Sequence, residues 1–147
     1  MTRVALLDVN VLVALFDPDH VHHGAAHDWF AANRHGGWAT CPLTENGLVR
    51  ILSNTAYSGV HETPAAILRR LGTFCASGQH VFWADEVSFR DRRLFNLSAA
   101  VTHRQVTDVY LLGLAREKGG RLATFDRRIP VGAVVGVERG LLEVIPA

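Results

Sequence analysis

Four acidic residues occupy sequence positions at which a carboxylate is expected to take part in chemistry rather than to be exposed to bulk water. Asp8 interrupts the apolar stretch "RVALLDVNVLVALF" (residues 3–16), which otherwise has the composition of a buried strand running into a helix. Removing a lone carboxylate from water costs several kcal/mol unless a partner compensates for the charge. Glu45, Asp108 and Asp126 each follow a predicted strand or begin a predicted helix. Their chemistry depends on whether the fold brings them together.

Strand-like and helix-like segments alternate along the 147 residues. Short apolar runs predict strands at 3–9, 38–41, 80–84, 121–125 and 141–145. Apolar periodicity and helix-end signals predict helices beginning near Asn10 and within 22–37, 42–54, 63–78 and 107–120. Such alternation is typical of an α/β fold with a mainly parallel sheet and helices on both faces. We therefore expect a single domain over residues 1–147.

The carboxyl ends of parallel strands meet at one edge of a sheet, where ligands bind in folds of this class. A parallel sheet would bring the four acids, Asp8, Glu45, Asp108 and Asp126, towards that edge. If they converge to about 6 Å, each pair repels by roughly 3 kcal/mol at an effective dielectric constant near 20. The summed repulsion rivals the ~5–15 kcal/mol stability of a whole domain. Such a pocket must take up protons or a cation.

An all-oxygen site with few neutral ligands suits Mg²⁺ or Mn²⁺. A cation held by carboxylates and keeping several waters can activate one water and neutralise charge on a phosphoryl group. The chemistry indicated is hydrolysis of a phosphodiester. Three of the acids also have ordinary explanations, because Asp108 and Glu45 match a helix dipole and Asp126 suits a turn. Asp8 has none, because a charged side chain within an apolar strand rarely lacks a partner.

The composition is that of a soluble globular protein, with 48% apolar and 20% charged residues. No window supplies the about 20 consecutive apolar residues that a membrane helix needs, so a cytoplasmic location is expected. Cys41 and Cys75 lie in apolar surroundings and are expected to be reduced. If four of the 14 acidic residues bind a cation, ten acidic residues remain against 15 basic ones. That balance gives a modest attraction for nucleic acid.

Four segments, "LLDVNVLVALF", "TENGLVRIL", "HRQVTDVYLLGLA" and "RLATFD", resemble in their order and spacing the PIN-domain ribonucleases, specifically the VapC-type toxins of toxin–antitoxin pairs. The resemblance covers nearly the whole chain. It implies a three-layer α/β/α fold with a mainly parallel central sheet and cleavage of RNA by an endoribonuclease that depends on Mg²⁺ or Mn²⁺. It also implies inhibition by a cognate antitoxin and a tendency to form homodimers.

The resemblance also gives the four acids catalytic and metal-binding roles. Asp8 and Asp108 would be the principal metal ligands. Glu45 and Asp126 would bind the metal through water, orient the attacking water, or contribute to a second metal position. The family commonly has Ser or Thr two residues after its first Asp, whereas this chain has Asn10. Asn10 is expected to form a hydrogen bond that supports the metal ligands without itself binding the metal.

Other polar residues adjoin these acids in the sequence. Thr107 is first the N-cap of the helix within 107–120, and contact with substrate is its second interpretation. Candidates for phosphate contacts, chosen for their closeness to the acids in sequence, are His103, Arg104, Arg127 and Arg128. Among the histidines from His20 to His27, His23 and His27 are four residues apart, a spacing that zinc sites use. A structural role, or one near RNA, is the alternative for this histidine cluster.

Two other classes of protein fit part of the pattern. A haloacid-dehalogenase-type phosphatase or a phosphoryl-receiver domain also places acids and Mg²⁺ at the carboxyl edge of a parallel sheet. Both ordinarily use a Lys near that edge, whereas the single lysine, Lys118, falls at a helix end. The segment "DVNVL" also lacks the second Asp of the phosphatase motif. A catalytically inactive binding module is the other alternative, and the intact set of four acids disfavours it.

Overall fold

The computed structural model describes residues 3–57, 62–98 and 101–147. Its strands are β1 Ala5–Leu7, β2 Trp38–Thr40, β3 His80–Phe82, β4 Arg121–Thr124 and β5 Leu142–Val144. Its α-helices are α1 Val9–Phe16, α2 His23–Asn33, α3 Pro42–Leu52, α4 Pro64–Cys75 and α5 Val106–Glu117. Short 3₁₀ turns lie at Arg34–Gly36, His103–Gln105 and Val131–Ala133. None of the helices in these ranges has the length and hydropathy that crossing a bilayer requires.

The strands form one sheet in the order β3-β2-β1-β4-β5, and each neighbouring pair is parallel. The prediction of a mainly parallel sheet is confirmed. The central strand β1 is buried throughout, because helices cover both faces of a parallel sheet. After β1 the chain builds β2 and β3 on one side and then returns through α5 to build β4 on the other. The strand order therefore reverses between β1 and β4, which is where open parallel sheets bind ligands.

Two apolar clusters cover the two faces of the sheet. On one face Leu7 belongs to a cluster with residues of α1 to α4, among them Phe30 and Leu48. On the other face Leu6 belongs to a cluster with residues of α5, among them Leu112. Leu6 and Leu7 point to opposite faces because side chains alternate along a strand. These clusters confirm the expected three-layer α/β/α arrangement.

Helix α5 begins earlier than the sequence indicates. The 3₁₀ turn His103–Gln105 runs directly into α5, whose first residue is Val106, so Thr107 lies exposed inside the first helical turn. The cap lies upstream, where Oε1 of Gln105 accepts a hydrogen bond from the backbone N–H of Thr102 at 3.0 Å. The prediction that Thr107 caps this helix is wrong, because the preceding turn moves the start of the helical backbone.

Close packing between α5 and the loop before it gives a test of the fold. A Cβ added at Gly113 would lie 2.2 Å from Cζ of Phe95. The ring of Phe95 cannot move aside freely, because Phe95 is 4% exposed and packs edge-on against Phe89. We expect Gly113→Ala to lower the free energy of unfolding, measured by urea denaturation, by about 1–3 kcal/mol.

Gly72 in α4 provides the matched control for this substitution. It is an exposed helical glycine, and a Cβ added there meets nothing within 4 Å. Gly72→Ala should therefore raise the free energy of unfolding by up to about 1 kcal/mol, since alanine has the higher helix propensity. Similar effects of the two substitutions would contradict the packing of α5 against Phe95.

Candidate active site

Asp8 lies at the point where the strand order reverses. It follows β1 directly and is the N-cap of α1, and only 4% of the residue is exposed. Its Oδ1 accepts a hydrogen bond from the backbone N–H of Val9 at 2.7 Å. Its Oδ2 accepts one from the hydroxyl of Thr124 at 2.7 Å. The interrupted apolar stretch is thus a strand and a helix with the acid at their junction.

The fully buried hydroxyl of Thr124 joins the ends of β1 and β4. Besides donating to Asp8, it accepts hydrogen bonds from Nδ2 of Asn10 at 3.2 Å and from the backbone N–H of Asp126 at 3.0 Å. Oδ1 of Asn10 accepts a further hydrogen bond from the backbone N–H of Phe125 at 3.3 Å. A hydroxyl has one proton and two lone pairs, so the bonding capacity of Thr124 is fully used. Asn10 therefore supports the acids through Thr124.

Thr124 was not among the residues that the sequence singled out. The signal that was present is a threonine in the apolar strand "RLATF", two residues before an acid. Threonine is common in strands for its β-branched shape, so this position alone predicts packing rather than a role in a site. Only the pairing of β1 with β4 brings its hydroxyl to Asp8.

Asp108 lies in the first turn of α5 and is electrostatically coupled to two other aspartates. Burial first, and then the charges of Asp8 and Asp126, raise the pKa of Asp108 to about 7. Burial is also the main cause that raises the pKa of Asp8, and Asp126 adds to this shift. The structure therefore brings three of the four predicted acids into one group, here called the aspartate group: Asp8, Asp108 and Asp126.

Glu45 lies in the first turn of α3, but its carboxylate is directed to a different set of side chains. Its Oε2 accepts a hydrogen bond from the hydroxyl of Thr40 at 2.6 Å, and that hydroxyl lies 2.7 Å from Nε2 of His80. Glu45, Cys75 and His80 have ligand atoms that all lie within 4.8 Å of one another. Glu45 is not among the charges that shift the pKa values of Asp8 and Asp108.

The loops before α5 and after β4 border the aspartate group. Arg128 donates its backbone N–H to Oδ1 of Asp126 at 2.8 Å, and its guanidinium lies 4.0 Å from the same oxygen. Nε2 of Gln105 donates to the carbonyl of Arg128 at 3.2 Å and so ties the two loops together. An open groove of about 600 Å³ is lined by Asn10, Phe125, Asp126, Arg127 and Arg128.

Five of the residues predicted from the sequence to lie near substrate are exposed around this group. They are His103, Arg104, Thr107, Arg127 and Arg128. The side chain of Arg128 is 91% exposed, so its ion pair with Asp126 compensates little of the negative charge. The positive side chains of these loops therefore remain available to an anionic ligand.

Two histidines of the cluster between 20 and 27 contact backbone carbonyls at the C-terminal end of α1. Nδ1 of His23 lies 2.7 Å from the carbonyl of Ala14, and Nε2 of His27 lies 3.1 Å from the carbonyl of Leu15. Carbonyls in the last turn of a helix have no partner within the helix and need one from outside it. These contacts account for both histidines without a zinc ion.

The donor set of the aspartate group fits a hard divalent cation. All three side chains offer carboxylate oxygens, the ligands that Mg²⁺ and Mn²⁺ prefer. The raised pKa values of Asp8 and Asp108 reflect the cost of holding their charges in a buried site, beside Asp126. A cation at the group would remove that cost, because it favours the ionised form of every carboxylate around it.

The chain is similar in sequence to known proteins. A family model described as "PIN domain" matches residues 5–134. Ribonuclease VapC39 of Mycobacterium tuberculosis is 45% identical over 141 residues, which cover 96% of this chain and 99% of the relative. Ribonuclease VapC38 of the same organism is 48% identical over 123 residues, which cover 84% of this chain and 85% of the relative.

A solved structure of Mycobacterium tuberculosis VapC20, described as a sarcin-ricin loop cleaving toxin, is similar in fold. It matches with a TM-score of 0.58 at 14% identity and covers 90% of this chain and 98% of that chain. At this identity the likeness concerns the fold alone. It agrees with the three-layer arrangement around a parallel sheet.

The burial of Asp108, together with the repulsion within the aspartate group, predicts a dependence of stability on pH. Folding raises the pKa of Asp108 from 3.8 to about 7, so the folded protein binds more protons than the unfolded chain between these pH values. Stability therefore falls as the pH rises through this window. In urea denaturation with a chelator present, Asp108→Asn should raise the free energy of unfolding by about 1–2 kcal/mol near pH 8, allowing for the partial exposure of Asp108. Near pH 4 the gain should be small.

Asp28→Asn is the control for this measurement, because Asp28 is an exposed acid of α2. It should change the free energy of unfolding little at either pH, as is usual for exposed substitutions. A gain for Asp108→Asn that is equal at both pH values would contradict the raised pKa of Asp108.

Proposed function

Because this chain belongs to the PIN-domain family, we propose that it is a divalent-metal-dependent endoribonuclease that hydrolyses RNA phosphodiester bonds, as the toxin of a toxin–antitoxin pair. The ribonuclease activity is supported by its likeness to VapC ribonucleases over almost the whole chain. The observation that carries the metal-dependent chemistry is the aspartate group, three coupled carboxylates at the point where the strand order reverses.

In this proposal the aspartate group holds Mg²⁺ or Mn²⁺, with Asp8 and Asp108 as principal ligands and Asp126 completing the site. A cation bound there supplies neutralising charge for the phosphoryl group and a water of lowered pKa. The hydrogen bonds from Val9 and Thr124 fix the orientation of the Asp8 carboxylate before any ligand binds. The carboxyl of Asp108 has a pKa of about 7 and would have to be ionised to hold a cation.

Glu45 is proposed as the fourth acid of the centre. It would bind the metal through water, orient the attacking water, or contribute to a second metal position. The hydrogen bond from Thr40 uses only Oε2 of Glu45, which leaves the lone pairs of Oε1 for these roles. Its position in the first turn of α3 supports this assignment, because α3 follows β2, the strand that pairs with β1.

The RNA is proposed to lie along the groove beside Asp126. Arg127 and Arg128 line this groove, and both are exposed. Arg104 and His103 lie in the other loop of the rim, where they would contact neighbouring phosphates, and Thr107 would contact substrate from the first turn of α5. Contacts of this kind position a strand without selecting its sequence.

Membership of the family also supports the proposed partners. We propose that a cognate antitoxin protein inhibits the enzyme, that two copies form a homodimer, and that the protein works in the cytoplasm without a membrane partner. The similarity of the chain to VapC39 and VapC38 supports these proposals.

The phosphatase and phosphoryl-receiver alternative requires a lysine at the carboxyl edge of the sheet. Lys118 instead lies beyond the C-terminal end of α5, and its ammonium forms an ion pair with Glu86. The opposite end of the same helix carries Asp108. The geometry therefore does not favour this alternative. The inactive-module alternative is disfavoured because the three aspartates of the group are present and coupled.

The proposed function predicts loss of metal-dependent RNA cleavage when an acid of the group is neutralised. Asp8→Asn and Asp108→Asn should each lower the cleavage rate in Mg²⁺ or Mn²⁺ by at least about 100-fold, because several kcal/mol of charge stabilisation is lost. Asparagine keeps the N-cap hydrogen bond of Asp8, so the fold should survive. Cleavage is measured on a mixed RNA pool by sequencing the new ends, with Asp28→Asn as the control. Wild-type rates in either variant would refute the assigned site.

Thr124 is predicted to act as a positioning residue for the same reaction. Thr124→Val keeps the side-chain shape but removes the hydroxyl that orders Asp8 and Asp126, so the cleavage rate should fall by about 10–100-fold. The Mg²⁺ concentration for half-maximal rate should rise, a shift that a purely structural role would not produce. Thr124→Ser keeps the hydroxyl and is the matched control. If serine and valine behave alike, the hydroxyl has no positioning role.

A further inference from the structure

A second cluster of metal-capable side chains contains sulfur and nitrogen as well as oxygen. It consists of Glu45 in α3, Cys75 at the end of α4 and His80 at the start of β3. Their ligand atoms all lie within 4.8 Å of one another, and each residue is partly buried. We call these three residues the Glu–Cys–His cluster. Two of them play no part in the proposed reaction.

The spacing of sulfur and nitrogen in the cluster matches a tetrahedral ion. Sγ of Cys75 lies 3.6 Å from Nε2 of His80. A tetrahedral Zn²⁺ with bonds of about 2.3 Å to sulfur and about 2.0 Å to nitrogen holds those two atoms roughly 3.5 Å apart. Three protein ligands with one remaining position is a common arrangement for this ion. The cluster therefore needs little rearrangement to bind it.

Hydrogen bonding explains only part of the cluster. The single hydroxyl proton of Thr40 goes to Oε2 of Glu45, so Nε2 of His80 must donate to the hydroxyl oxygen. This chain of bonds satisfies Glu45 and His80. It does not require the thiol of Cys75, which nevertheless lies against the same ring nitrogen. This position of the thiol is suitable for a metal ligand.

We propose that the Glu–Cys–His cluster binds Zn²⁺ or a divalent ion of similar softness. On binding, the thiol of Cys75 releases its proton to solvent and its thiolate joins the ion. The proton of His80 moves to Nδ1, so that Nε2 offers a lone pair, and Glu45 supplies a carboxylate oxygen. Mg²⁺ does not compete here, because thiolate and imidazole favour softer ions over hard ones.

Occupation of this site would inhibit the enzyme, an effect that rests on the proposed function. Glu45 belongs to the cluster in the structure and is also the proposed fourth acid of the catalytic centre. An ion beside Cys75 and His80 would hold the Glu45 carboxylate at those two side chains and so would oppose its use by the aspartate group. Soft and hard ions would thus bind to two sites that share one side chain and would oppose each other.

The binding experiment uses Co²⁺ as a spectroscopic substitute for Zn²⁺ in the intact protein. We expect the near-ultraviolet absorption of a cobalt thiolate and the intense visible bands of a tetrahedral ion, both lost when Zn²⁺ is added. Cys75→Ser and His80→Gln should each weaken Co²⁺ binding by at least about 10-fold. Circular dichroism checks that these variants fold.

Two control variants locate the ion. Cys41→Ser keeps the cluster and changes the only other cysteine of the sequence, which is the N-cap residue of α3, a position that serine suits. Asp108→Asn removes an acid of the aspartate group instead. Both should keep the thiolate absorption. Its absence from the wild type, its survival in Cys75→Ser, or its loss in Asp108→Asn would overturn the proposed site.

The activity experiment measures Mg²⁺-dependent RNA cleavage with increasing Zn²⁺. The concentration of Zn²⁺ that halves the rate should be at least about 10-fold higher in Cys75→Ser than in the wild type. Equal inhibition of the two proteins would overturn the shared role of Glu45, whatever the binding experiment shows. If the wild type cleaves no RNA, the proposed function fails, while the Co²⁺ spectra still decide whether the cluster binds metal.

Discussion

The burial of three acidic side chains beside one another is the constraint on which this molecule depends. Burial and their neighbours' charges raise the pKa values of Asp8 and Asp108, so holding both carboxylates ionised near neutral pH costs free energy. A small, highly charged cation at this group would return the most favourable energy. The same placement of the carboxylates therefore lowers the stability of the metal-free protein and would raise its affinity for a cation.

The fold tolerates this repulsion because it supplies compensating partners. Asp8 is the N-cap of α1 and Asp108 lies in the first turn of α5, so two helix N-termini direct their positive ends towards the group. The hydroxyl of Thr124 adds a hydrogen bond to Asp8 and holds the backbone of Asp126. These contacts arise only because β1 and β4 are neighbours in the sheet. The pairing of β1 with β4, where the strand order reverses, therefore also fixes the positions of these side chains.

Much of this arrangement could be predicted from the sequence. The parts that could not be predicted have identifiable physical reasons. Asp8, Asp108 and Asp126 were predictable because strand ends and helix starts meet at one edge of any parallel sheet. The direction of the Glu45 carboxylate was not, because a side chain with several rotamers can hydrogen-bond to either of two neighbours. Thr124 was hidden by its suitability for an ordinary strand. The error at Thr107 arose because a 3₁₀ turn preceding a helix leaves no clear mark in sequence.

The hydrogen bond between Thr124 and Asp8 joins residues that are 116 positions apart. On a ribosome, the first of these residues emerges long before the second has been synthesised. A growing chain thus lacks an ordered carboxylate group until β4 has left the exit tunnel and paired with β1. Translation of such an enzyme therefore exposes the surrounding transcripts to this group only after both strands have emerged.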